Sequence, residues 1–409
     1  MYRTVTNKLK LMVSSLGNGF SDVYSMFRRN PAVSDVVKVI YKLSRKIIEK
    51  KGGITVKIMD FCGTHEWTIT SYGLRYLMPS NVELIAGPGC PVCITPAYYV
   101  DAAIKLAMNN IRIFTYGDSY KLPGLARVGI RTLAEAKARN ADVEVVYSMM
   151  DAIRIAEEDK KESTFLAIGF ETTAPSVIAP VVQGKIPSNF TIINVHRLTP
   201  PVARYILENV PEVSLNGIIA PGHVSTITGA NAWKFIPEEF NIPTVIAGFE
   251  PLDVLLAILE ILRQIVEGKP KLVNEYSRVV SWSGNVKAQK LLSECCEEVD
   301  AAWRGIGFVP KSGLIFKDKY SKVDALKQYG ISELTPDEWK YDLPSGCRCA
   351  DVTIGKSKPT DCQMFMRNCT PANPYGPCMV SMEGACAIWA KFGGSSLAIE
   401  VAREIGLNI

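Results

Sequence analysis

The sequence predicts an α/β protein: two parallel-sheet α/β domains facing a cleft, followed by a Cys-rich third domain. Three observations carry this. From Ile54 onward, short β-branched runs alternate with helical ones, a rhythm that means parallel sheets covered by helices on both faces. At 409 residues the chain is too long for one ordinary core. Six of its eleven cysteines fall between Cys347 and Cys386, in a stretch rich in Gly and Pro. The expected divisions are an N-terminal extension over 1–30, α/β domains over 31–156 and 157–270, and the Cys-rich domain over 271–409. The boundary between the two α/β domains is set near Ala156 to Ser163, where Glu and Lys crowd together.

Taken in order, Pro31 to Lys50 carries Val33, Val36, Val37, Ile40, Leu43 and Ile47 at helical spacing, which predicts an amphipathic helix ending at Gly52-Gly53. Strands are expected at Ile54–Met59, Val82–Ala86, Ile111–Thr115 and Val143–Tyr147, with helices at Ala97–Met108 and Leu133–Arg139 between them. The same rhythm continues with strands Thr164–Ile168, Thr191–Val195, Gly217–Ala220 and Thr244–Ala247, and helices Val202–Asn209 and Leu252–Val266. After Gly268 a helical stretch runs through Ala288–Glu298, and Pro344–Gly384 turns loop-rich. A segment with so little apolar periodicity buries little surface and calls for a cofactor as its core.

Composition excludes several classes. An apolar fraction of 47% describes well-packed domains, and a net charge of +5 spread along the chain implies neither nucleic acid nor an acidic membrane surface. No apolar run reaches the roughly 20 residues of a bilayer span. Met1-Tyr2-Arg3-Thr4 opens no signal-peptide pattern. A cytoplasmic protein is expected, and in that compartment clustered cysteines point to metal or redox chemistry rather than structural disulfides.

The loops after the strands hold the chemistry. Asp60-Phe61-Cys62-Gly63-Thr64-His65-Glu66 puts a thiol and an imidazole three residues apart, able to converge on one soft metal ion, with Glu66 placed to orient the imidazole. The alternative is a buried Cys beside a hydrogen-bonded His. Gly87-Pro88-Gly89-Cys90-Pro91-Val92-Cys93 carries a Cys-x-x-Cys before a helix, a context for a disulfide that opens and closes, against inert burial. Gly169-Phe170-Glu171-Thr172-Thr173 would cap a helix through Thr172 or Thr173 and offer an anion site, without being a Walker motif. His196 and His223 complete the three histidines, all set in loops at strand ends. Cys295-Cys296 falls in a helical run and reads as structural.

Among Cys347, Cys349, Cys362, Cys369, Cys378 and Cys386, four thiolates suffice for an iron-sulfur cluster, which tolerates irregular spacing. Zinc is the alternative, though its usual pair of short knuckles is missing. Two thiols are left over in either case, enough for one disulfide.

Taken together the motifs resemble the HypD family of hydrogenase-maturation proteins. The resemblance rests on Cys62-Gly63-Thr64-His65, Gly87 to Cys93, Gly169 to Pro175, Ala220-Pro221-Gly222-His223-Val224, Gly248 to Asp253, Trp303-Arg304-Gly305, Cys369-Thr370-Pro371 and Met379 to Cys386. It departs at Ser119-Tyr120-Lys121-Leu122 and in the first thirty residues, and Cys295 and Cys296 have no counterpart in it.

The resemblance implies a redox-active scaffold for the Fe(CN)2CO moiety of nickel-iron hydrogenases. Cys62 would bind the iron together with a thiolate of a HypC-type partner, with His65 beside it, and a HypE-type partner would deliver the cyanide. By the same resemblance Cys347, Cys362, Cys369 and Cys386 would hold a 4Fe-4S cluster, with Cys349 and Cys378 as a candidate disulfide next to it. Cys90 and Cys93 would pass electrons between the two. Two thiolates leave low-spin iron(II) room for three diatomic ligands, and a partner's thiolate explains why Cys62 has so few local companions. Two other readings stay open: a 4Fe-4S-dependent thiol/disulfide reductase, and a zinc-stapled binding module.

Overall fold

The structure is a computed structural model and describes residues 32–126, 129–339 and 342–393. The extension expected over 1–30 lies outside the described residues.

The first described helix, Ala32–Lys51, turns Val36, Val37, Ile40 and Ile47 inward, with Asp35 in its first turn and Lys50 and Lys51 in its last, where they suit the helix dipole. Strands β1 (Val56–Asp60), β2 (Val82–Ala86), β3 (Arg112–Thr115), β4 (Val143–Val145), β5 (Ser163–Gly169), β6 (Phe190–His196), β7 (Gly217–Pro221), β8 (Thr244–Ala247) and β9 (Leu272–Asn274) follow. They form two parallel sheets, one ordered β2-β1-β7-β8-β9 and the other β4-β3-β5-β6. Both sheets are covered on both faces, as buried parallel sheets require. Ile58, Leu84, Ile219 and Val245 face the helices Ala32–Lys51 and Pro251–Glu267. Met59, Ile218 and Ile246, pointing the other way, meet helix Thr199–Asn209 and Trp233.

Sheet membership does not follow chain order. β1 pairs with β7, Ile58 opposite Gly217, so the five-stranded sheet is built from chain on either side of the four-stranded one. A division at Ala156 to Ser163 would cut the four-stranded sheet between β3 and β5, which pair side by side. The physical reason is that strands pair through backbone edges, which are the same whatever the residues, so nearness along the chain does not decide the partner.

The segment after 270 also differs from expectation. β9 completes the five-stranded sheet. An antiparallel hairpin, β10 (Cys296–Trp303) and β11 (Gly307–Phe316), lies along β6, where Asn194 Nδ2 donates to Leu314 O and Leu198 N–H to Ser312 O. The helical run expected through Glu298 stops at Cys295, and Cys296 opens β10 opposite Phe316. Strand pairing overrides the helix preference of Glu297 and Glu298. The Cys-rich stretch is loop-rich as expected, but Val352, Met379 and Ala385 share one core with Ile113, Leu166 and helix Ala97–Met108. No helix among the described residues is long and apolar enough to cross a membrane.

Candidate functional site

At the carboxyl end of β1 the chain turns sharply into helix Gly63–Ser71, and Cys62 is the residue before that helix, with Glu66 N–H donating to its carbonyl. The Gly87–Cys90 loop lies directly on this turn: Gly63 N–H donates to Gly89 O at 3.1 Å. A Cβ at Gly89 would fall 2.4 Å from Cys62 Cα, and one at Gly63 would fall 2.4 Å from Glu383 O. Three loops thus pile backbone on backbone at Cys62, and only glycine permits the approach. Burial pushes the Cys62 thiol up to about 12, and the nearby Glu383 carboxyl adds to this, while the N–H groups of Thr64 and His65 pull the other way.

His65 is fully buried. Its Nε2 lies 2.9 Å from Gly248 O and 3.2 Å from Ala247 O, two acceptors, so Nε2 carries the proton and donates. Nδ1 is therefore a bare lone pair, buried with no hydrogen-bond partner among the described residues. Burial lowers the imidazole to about 4. Phe249 stacks on both His65 and His223, at centroid distances of 4.7 and 3.8 Å. His65 and His223 sit in the first turns of short helices, and His196 ends β6 in the other sheet, its Nδ1 2.6 Å from Asn194 Oδ1.

Glu66 does not orient this imidazole. It accepts from Arg75 Nη2 at 2.5 Å, Thr70 Oγ1 at 3.0 Å and Trp389 Nε1 at 2.6 Å. Trp389 stands on helix Ala385–Phe392, the helix that carries Cys386, so Glu66 ties the Cys62 helix to the Cys386 helix. Backbone carbonyls take over the orienting role that the sequence reading gave to Glu66. Thr173 likewise makes no cap: its hydroxyl donates to Phe170 O, and Glu171 instead receives the N–H and O–H of Thr199.

Cys90 and Cys93 are joined as a disulfide, with Cys90 Sγ accepting from Cys93 N–H at the start of the short helix Pro91–Ile94. A Cβ at Gly384 would fall 3.0 Å from Cys93 Sγ and 2.2 Å from Cys378 O, so this disulfide touches the loop between Cys378 and Cys386. The late thiols gather there. Cys378 N–H points at Cys349 Sγ, 3.4 Å away. Hydrogen bonds from Cys349 and then Cys378 lower Cys386 to about 6, and the corresponding bonds push Cys378 up. Cys347 is raised by its bond to Cys349, and Cys369 by burial. A Cβ at Gly376 would fall 2.4 Å from Cys347 Sγ and 2.8 Å from Cys349 Sγ.

Cys349 and Cys378, the candidate disulfide, are neighbours as free thiols. Cys362 shares a tight loop with Cys369, closed by Cys369 N–H to Met364 O, but no interaction among the described residues joins its sulfur to the other five. Among the described residues no three His, Cys, Asp or Glu side chains are placed to hold a metal ion. The donor chemistry nonetheless fits an iron-sulfur cluster, since the gathered groups are soft thiols, and the missing Cβ of Gly376 is what lets the Cys347 and Cys349 sulfurs sit together there. Cys362 would have to turn inward to complete the expected quartet.

Glu383, Phe249 and Trp389 were not singled out in the sequence as parts of this site. Glu383 and Phe249 lie in quoted motifs, which was the available signal, whereas Trp389 meets Glu66 from 323 residues away and left none.

Residues 36–393 match the HypD family, described as the hydrogenase formation hypA family. A putative hydrogenase expression/formation protein of Methanocaldococcus jannaschii is 42% identical, over 88% of this chain and 97% of its own. The hydrogenase maturation factor HypD of Cupriavidus necator is 40% identical over 84% and 92%, and that of Escherichia coli 38% over 82% and 89%.

Proposed function

The chain belongs to the HypD family of hydrogenase maturation proteins, and from that premise we propose that it is a redox-active scaffold for assembly of the Fe(CN)2CO moiety, working in the cytoplasm with HypC-type and HypE-type partners. The observation that carries this is the pile of three loops at Cys62, which sets that thiol, the bare Nδ1 of His65 and the approach to the late cysteines within one neighbourhood.

Iron and its diatomic ligands are cargo here. Cys62 grips the iron as a thiolate, and with its thiol up at about 12, binding releases one proton. His65, locked as the Nε2–H form, presents an acceptor and no charge beside the cargo. The second thiolate comes from the HypC-type partner, and cyanide from the HypE-type partner. The resident cofactor of this reading is a 4Fe-4S cluster on Cys347, Cys362, Cys369 and Cys386, which would supply one-electron redox capacity there. Cys90 and Cys93, disulfide-bonded beside Gly384, would pass electrons between that cluster and the Cys62 site, two electrons and two protons for each opening of the disulfide, and Cys349 and Cys378, free thiols here, would form a second such couple.

The test is infrared spectroscopy of the complex purified anaerobically with its small partner. Wild type is expected to show cyanide and carbonyl bands and Cys62→Ala to lose them; undiminished bands in the variant would overturn the assignment. A second reading, a 4Fe-4S-dependent thiol/disulfide reductase, is favoured by the contact between Cys93 and the Cys378–Gly384 loop. Thiol titration of the anaerobically purified protein before and after reduction of the cluster tests this second reading: additional free thiols are expected, and if none appear the reductase reading fails.

A further inference from the structure

Cys295 and Cys296 play no part in the reading above, yet both are buried, at the point where helix Val286–Cys295 becomes β10. Each is a free thiol. The junction is held by Cys296 N–H to Leu292 O and by Lys317 N–H to Cys295 O at 3.0 Å.

Cys296 lines a groove of about 870 Å³. The groove lies beyond the carboxyl end of β5, where ligands of parallel α/β sheets collect. Its walls are apolar, from Leu198, Pro201, Ile227, Val286 and Leu314. Its charged groups are Glu171, Glu298 and Lys290. Glu171 is 2% exposed, and both of its oxygens are already fixed by Thr199, so its carboxyl presents a rigid acceptor.

We propose that Cys295 and Cys296 are a vicinal dithiol that exchanges with a small zwitterionic disulfide seated in this groove. The complementarity is threefold: ammonium groups toward Glu171 and Glu298, a carboxylate toward Lys290, and the disulfide toward Cys296. The Cys296 thiol loses its proton and attacks one sulfur of the bound disulfide, forming a mixed disulfide and expelling one small thiolate, which takes up that proton. Cys295 then loses its proton, attacks Cys296 Sγ and expels the second small thiolate, which is protonated in turn. Two protein thiols are oxidised to one disulfide and the bound disulfide is reduced to two thiols, with no other reactant. Closing a small ring across adjacent residues distorts the peptide between them. The Cys296–Leu292 hydrogen bond and the helix wall that carries Gln289, Lys290 and Ser293 move with it.

The test treats the anaerobic full-length protein with oxidised glutathione and maps its peptides by mass. Wild type is expected to yield the Cys295–Cys296 peptide lighter by two hydrogens, reversibly with reductant. Cys295→Ser, and Cys295→Ala as a check on folding, should accumulate glutathione on Cys296, and Cys296→Ser should leave Cys295 unmodified. Lys290→Glu should slow the reaction about tenfold, the effect of about 1.4 kcal/mol in binding, and leave the rate with uncharged hydroxyethyl disulfide unchanged. No modification at either residue, Cys295 reacting in Cys296→Ser at the wild-type rate, or a Lys290→Glu protein as fast as wild type with glutathione would each overturn the proposal.

Discussion

Replacing Gly89 by Ala tests the contact on which the Cys62 site is built. The added methyl would lie 2.4 Å from Cys62 Cα and 2.5 Å from its N and C atoms. Carbon contacts become comfortable at about 3.5 Å, so the two loops must part by about 1 Å. All three opposing atoms are backbone and cannot swing aside as a side chain would. Overpacking of this kind costs about 1–3 kcal/mol, and stretching the hydrogen bond from Gly63 N–H to Gly89 O adds about 1 kcal/mol. A loss of about 3 kcal/mol is expected. Gly184→Ala is the control, because Gly184 has φ +65° but no atom within 4 Å of its would-be Cβ. Only the left-handed backbone penalty applies there, about 1 kcal/mol. Urea unfolding followed by circular dichroism compares the midpoints, provided the slopes agree. Alkylation of Cys62 under native conditions reads the opening of the loops directly. Equal midpoint shifts in the two variants, with Cys62 no more reactive in Gly89→Ala than in wild type, would refute the reasoning.

Two further outcomes follow from buried charge. Burial depresses His65 to about 4 and His196 to about 3, from 6.5 in the unfolded chain. The unfolded chain therefore binds these protons first, and the stability due to the neutral imidazoles is whole above pH 6.5 and lost as pH falls from there to between 4 and 3. Glu171, raised by burial to about 7, runs the other way and loses stability as pH rises from 4.5 to 7. The diagnostic is thus the difference between wild type and His196→Gln, which should shrink by several kcal/mol between pH 6.5 and 3 as wild type destabilises faster; parallel urea midpoints across that range would count against it. Arg304 is fully buried, with Nε donating to Asp342 O and Nη1 to Pro123 O. Arg304→Met should cost about 3–5 kcal/mol because it strands those carbonyls and the Asp342 carboxyl, and a loss under about 1 kcal/mol by urea unfolding would show that the network relaxes around the change.

The strands were legible wherever short apolar runs carry β-branched residues, as in Thr164–Ile168 inside β5 and Thr244–Ala247 as β8. What the sequence could not show was which strands share a sheet, since any buried parallel strand offers the same apolar face to any other. Helix Gly63–Ser71 has apolar residues with no consistent face, so periodicity was silent there. Helix Met149–Asp159 is hidden because its charged end, Glu157-Glu158-Asp159, reads equally as a linker between domains. Within the site, Cys62, His65 and the Cys-Pro-Val-Cys turn could be read from residue type and spacing. The partners that fix them could not: His65 is held by backbone carbonyls, which leave no trace in residue identity, and Glu66 by a tryptophan from the far end of the chain.

The order in which the five-stranded sheet takes its strands bears on when this protein becomes competent. Cys62 is made early, yet the carbonyls that lock His65 lie 182 and 183 residues further on, and β1 lacks one of its neighbours until β7 exists. Pairings of such long range form late, after the intervening four-stranded sheet has had time to settle. A nascent chain on the ribosome therefore exposes the early thiol without its neighbouring imidazole in place. Iron capture in the proposed manner is reserved for finished molecules, and a chain truncated before Ala247 would offer the metal a loose thiol instead of a site.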